Sequence, residues 1–233
     1  MINLPELPAN YATGLRLMDE AHAEDPKRTS PSGAGSEGET IPYELHYARK
    51  MTRWLGERCP DASPTLQLAC RAQHFKRWEI PRDSYPMTRP GYLSWRAKQK
   101  SQAAATVAAL LRSPAVQPPL PDADVERVAA LIRKENLKGD AETQVLEDVA
   151  CLVFLDDQFD DFEQKDDIDE DKIVGILRKT WVKMSAPGQE LALAMQHSER
   201  AKVLLGKALG GLLIRSGQII KRQRFQKRRG DWH

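Results

Sequence analysis

The run AETQVLEDVACLVFLDDQF, residues 141–159, is the most apolar helical stretch of the chain, and it is read as the central helix of the fold. The segments on either side are helical as well. PPLPDADVERVAALIRKENLKG (118–139) opens a helix after Pro121, closes it at Gly139 and sets Val125, Val128, Leu131 and Ile132 on one face. SWRAKQKSQAAATVAALLR (94–112) is a strong helix that stops before Pro114, whereas RDSYPMTRPGY (82–92) holds two prolines and a glycine and reads as a loop. Further back, Ser63-Pro64 offers an N-cap and a first-turn proline, which lacks only a donor the helix start would leave free. That helix is predicted to run through LQLACRAQHFKRW (66–78) until Pro81.

Leu45, Ala48, Met51, Trp54 and Leu55 predict an amphipathic helix over about 43–57, preceded by an exposed Gly/Ser/Thr-rich loop, KRTSPSGAGSEGET (27–40). On the C-terminal side, Ile173, Ile176, Leu177, Thr180 and Trp181 predict a helix over about 170–185, and a last one follows over about 188–209. No stretch shows sustained strand alternation or a hairpin turn. The expectation is a single all-α domain of seven or eight helices over residues 1–210, without internal repeats, followed by a flexible tail at 211–233.

The chain of 233 residues has a formal net charge of +2, and that sum hides a partition. Residues 211–233 hold seven Lys/Arg against one Asp, whereas the rest hold 28 basic against 32 acidic side chains. A body at −4 therefore carries a tail at +6. The tail, with KRQRFQKRR at 221–229, reads first as a solubilising, disordered terminus; the alternative is nuclear localisation or nucleic acid, which such a run attracts without reading sequence. Cys59, Cys70 and Cys151 are odd in number and form no CxxC pair, which argues against a zinc ribbon or disulfide framework. No apolar run approaches the ~20 residues of a membrane helix, and no secretory signal is visible, so the expected setting is cytoplasmic or nuclear, without a membrane partner.

Chemistry concentrates in LACRAQHFKRWEIPRDSYPMTRPGYLSWR (68–96). On a continuous helix Arg71, His74 and Trp78 share a face, and Arg77, Arg82, Arg89 and Arg96 follow among Tyr85, Tyr92 and Trp95. Guanidiniums at this density clamp phosphate or carboxylate through bidentate bonds, so the expected partner is a small anionic ligand. Two other segments carry less. LDDQFDDFEQKDDIDEDK (155–172) has ten acidic residues but lacks an EF-hand glycine and terminal Glu, and it reads as a solvated stretch. Lys183-Met184-Ser185 resembles a fragment of the KMSKS signature of class I aminoacyl-tRNA synthetases. No nucleotide-binding βα pattern precedes it, which argues against that class.

Five segments, DEAHAEDP (19–26), ELHYARKMTRWL, RAQHFKRWEIPRDSYPMTRPGYLSWR, LKGDAETQVLEDVACLVFL and KTWVKMS, occur in an order that resembles the family known as domain of unknown function 4202, over roughly residues 12–210. More distantly, the layout resembles the HD superfamily of helical metal-dependent phosphohydrolases. That resemblance implies His46, His74 and Asp148 as ligands of a divalent metal (Mn, Fe, Zn or Mg), with His74 and Asp148 also catalytic. Phe75 stands where the Asp of the His-Asp pair belongs, and Gln102 and Lys134 occupy regions of further histidines. Lys134 in that place implies an anion bound without metal. The expected function is thus anion binding on an HD-like scaffold, with phosphoester hydrolysis as its catalytic form and a decayed, non-catalytic site as the alternative.

Overall fold

The computed structural model describes residues 4–30, 40–159 and 169–210, together with the backbone of 213–215 and 218–220. The chain divides into two compact units, Met1–Val153 and Phe154–His233. The described part is mostly helical, as expected, apart from two short hairpins.

The first unit contains α1 (Ala9–His22), a two-residue hairpin of β1 (Arg28–Thr29) and β2 (Ile41–Pro42), α2 (Tyr43–Arg58), α3 (Pro64–Arg71), α4 (Arg89–Leu111), α5 (Asp122–Arg133) and α6 (Ala141–Val153). α4 packs along α5, α2 along α6, and α3 touches α1, α2, α5 and α6. Met51, Leu55, Leu66, Leu68, Leu111, Leu131, Leu146 and Leu152 are fully buried among them. Each such side chain stabilises the unit by roughly 1.5–3 kcal/mol relative to an exposed one. α1, which lies in a stretch the sequence reading left without structure, reaches the end of α4 through Gly14. A Cβ there would lie 2.6 Å from Leu111 Cδ2.

Local signals hold where they are strong. Ser63 Oγ accepts the Leu66 N–H at 3.1 Å and Pro64 opens α3. Thr88 caps α4 in the same way, so this helix starts at Arg89, five residues before the expected Ser94.

The helix expected to run to Pro81 ends at Arg71 instead. Two residues beyond it take left-handed backbone conformations, His74 at φ 63° and Lys76 at φ 50°, before single turns at Arg77–Glu79 and Arg82–Ser84. Tertiary hydrogen bonds outweigh helix propensity here. The Arg77 N–H donates to buried Glu44 Oε1 at 2.6 Å, and the Ile80 carbonyl accepts from Trp95 Nε1 at 2.9 Å. Arg71, His74 and Trp78 therefore share no helical face.

In the second unit a π-helical turn (Phe154–Gln158) precedes α7 (Glu170–Lys183), α8 (Ala186–Ala194) and α9 (Glu199–Ala208), and β3 (Leu213–Arg215) pairs antiparallel with β4 (Gln218–Ile220). α7 packs on α9. The single helix expected over 188–209 is two. Met195 is extended, and Ser198 Oγ caps α9 by accepting the Ala201 N–H at 3.1 Å. Residues 160–168 of the acidic stretch, 31–39 of the N-terminal loop and the basic run 221–229 lie outside the described residues. Among the described residues, no helix is long and apolar enough to cross a membrane.

Candidate ligand-binding cleft

The segment after α3 rests on a buried polar layer. Asp25 Oδ2 accepts the Glu44 N–H at 2.9 Å and so secures the start of α2. Glu44 Oε2 faces His22 Nδ1 at 3.3 Å, while His22 Nε2 lies 3.0 Å from the Arg71 carbonyl. Arg71 grips Asp19 with two bonds of 2.6 Å. Burial pushes the Glu44 carboxyl above its usual range, and the facing His22 pulls it back. These contacts tie DEAHAEDP and the start of α2 to the backbone at 71–77.

Above this layer a cleft opens to solvent between the 73–80 segment, α4 and the end of α5. Its cations are Lys76, Arg77, Arg96, Lys100 and Lys134, and Gln73 and His74 join them. His74, Lys76 and Lys134 all have positive φ without being glycine, a conformation that costs on the order of 1 kcal/mol each and clusters at functional sites. The His74 ring stacks on Tyr47 at 4.3 Å, and Arg77 Nη1 lies 3.1 Å from its Nε2. The Arg77 guanidinium also sits over the Trp95 ring, 4.8 Å from its centre. Gln99 Nε2 donates to the Arg77 and Ile80 carbonyls, which fixes the turn against α4.

Charge in the cleft is unbalanced. Lys134 pairs with Glu147 and Lys76 with Glu24. Among the described residues, Arg77, Arg96 and Lys100 form no ion pair. Burial first, then Arg77, Arg96 and Lys134, hold the His74 pKa well below its usual 6.5, so the imidazole is neutral. Burial and the neighbouring Lys134 and Arg96 also depress Lys100, and burial and Arg96 depress Arg77. Gln73, only 6% exposed, carries a buried Nε2 with no hydrogen-bond partner.

The family model described as Domain of unknown function (DUF4202) matches residues 12–205. The chain belongs to this family. The match takes in every residue that lines the cleft and ends before the basic tail. No curated protein and no solved structure matches the chain.

The DUF4202 cleft gathers His74, Arg77, Arg96 and Lys134 from the residues singled out in the sequence. Arg71 is committed to Asp19. Arg82 holds its own loop by donating to the Tyr85 and Pro86 carbonyls at 3.0 and 2.9 Å, and Arg89 is exposed at the start of α4. None of these three lines the cleft.

His46, His74 and Asp148 do not assemble as metal ligands. Among the described residues, no three His, Cys, Asp or Glu side chains form a group able to hold a metal ion. Asp148 is fully buried, accepting from Arg58 Nε at 2.8 Å and Gln144 Nε2 at 2.9 Å, so it clamps α2 to α6. Phe75, at the position of the missing Asp, is buried edge-on against His22. The donor set does not fit the metal that an HD-like site requires. The sequence reading missed Lys76, Lys100 and Gln73. Lys100 was detectable, since it follows Arg96 by one helical turn.

Proposed function

We propose that this DUF4202 chain binds a small phosphorylated anion in the cleft between the 73–80 turn, α4 and the end of α5. The observation that carries the reading is the convergence of Arg77, Arg96 and Lys100 on one half-buried cleft without a carboxylate partner. Like charges held together out of bulk water repel, and an anion seated among them turns that repulsion into attraction. Arginine adds a planar fork matched to phosphate oxygens. The HD-like scaffold and metal-dependent hydrolysis are extensions of the same reading. His46, His74 and Asp148 give hydrolysis no support, so the proposal is binding rather than turnover.

Titration calorimetry with inorganic phosphate and pyrophosphate tests it. The chain should bind, with affinity falling as salt rises. Arg96→Ala and Lys100→Ala should each weaken binding about tenfold or more while leaving the helical signal intact. No binding by the parent chain, or binding by both variants as tight as the parent's, would reject the proposal.

A further inference from the structure

Resting on that reading, we infer that the cleft takes a sugar phosphate, with Gln73 Nε2 as the donor that reads a hydroxyl of its uncharged part. Three observations lead there. The first is shape: the enclosed floor of the cleft is only about 30 Å³ and the rest is open to solvent, so an anion held by the cations leaves its organic portion room at the mouth.

The second is the character of the remaining wall. Beside the cations it offers the amides Gln73, Gln99 and Gln102 and the aliphatic Ile80, Ala103 and Ile132. Nucleobases are held chiefly by stacking on aromatic rings or guanidinium planes. Phe75 lines the cleft but is only 3% exposed and turned edge-on to His22, while the His74 ring already stacks on Tyr47 and Arg77 lies over Trp95. A polyhydroxylated group suits amides better than a base suits this wall.

The third is the orphaned donor itself. A buried N–H without a partner costs roughly 1–3 kcal/mol, and such groups are rare in folded proteins. Gln73 Nε2 is such a donor, on the residue just before the left-handed turn at His74. Structural amides in the same wall are satisfied: Gln99 bonds two carbonyls and Gln102 bonds Glu79. Gln73 lines the cleft, so a turn of its buried amide toward the ligand would bring Nε2 to an acceptor, and a sugar hydroxyl supplies one.

The test uses the full chain, calorimetry, and three probes: inorganic phosphate, ribose 5-phosphate and AMP. Ribose 5-phosphate should bind at least about tenfold more tightly than phosphate, and AMP no more tightly than ribose 5-phosphate. Gln73→Met fills a similar volume without the donor. It should lose about tenfold for ribose 5-phosphate, keep its affinity for phosphate, and melt at the same or a higher temperature without ligand. Gln73→Asn, which withdraws the amide by one methylene, should show the same selective loss and serves if the methionine variant does not fold.

Equal binding of phosphate and ribose 5-phosphate, tighter binding of AMP, or unchanged ribose 5-phosphate affinity in both variants would overturn the inference. If phosphate still binds in an Arg96-dependent way in those cases, the anion reading survives and the sugar assignment alone fails. Absence of any phosphate binding removes both.

Discussion

At the scale of single residues, His74 joins backbone strain to charge. Its ring is held on Tyr47 in a left-handed backbone, and burial with three neighbouring cations keeps it neutral. Its NMR resonances should therefore titrate well below the usual 6.5, and a midpoint at or above that value would contradict the buried, cation-flanked placement. The sign for stability follows from linkage: the unfolded chain takes up a proton near pH 6.5 that the folded residue refuses, so His74 makes the fold less stable as pH falls below about 6.5. A bound anion offsets the cations, and adding saturating phosphate should move the His74 titration upward. No movement would count against phosphate lying near the ring. The types of residue in the cleft were partly legible, because arginine, lysine and histidine declare their chemistry wherever they stand. Gln73 was not. Its importance comes from having no partner, which only the packed surroundings define.

Between elements, the anchoring side chains make separable predictions. Asp148→Ala removes the buried carboxylate that Arg58 and Gln144 bond and should destabilise the chain by about 3 kcal/mol in urea denaturation, with the phosphate affinity of the folded protein unchanged. Loss of phosphate affinity at unchanged stability would place Asp148 in the site instead. Arg127 bonds Asp140 twice and Glu142 at the head of α6, and Ser63 Oγ at the head of α3 donates to the same Glu142. Arg127→Ala should cost about 1–2 kcal/mol near neutrality. Arg127 holds the Asp140 carboxyl below its usual 3.8, so the stability this pair gives is complete above that pH and is lost as pH falls beneath it. The gap between parent and variant should close in acid; a constant gap would assign the loss to packing.

The helices themselves were largely legible, since capping residues and prolines act over a few positions, as Ser63-Pro64 shows. The break after Arg71 was hidden because its cause, the Glu44 carboxylate on the Arg77 amide, lies 33 residues away in sequence.

Across the whole molecule, removal of residues 211–233 would change the formal charge from +2 to −4. Retention on a heparin column should collapse in that truncation, while ribose 5-phosphate affinity stays within twofold; persistent retention would locate polyanion affinity elsewhere. Every residue lining the cleft belongs to the first compact unit, far in sequence from the tail.

The left-handed residues around the cleft have a consequence for laboratory evolution. Glycine at 76 or 134 would relax the backbone, and an apolar residue at 73 would remove a stranded amide. A library screened only for heat resistance should therefore enrich changes at these positions. Its winners would be hardy proteins that have lost their grip on the ligand.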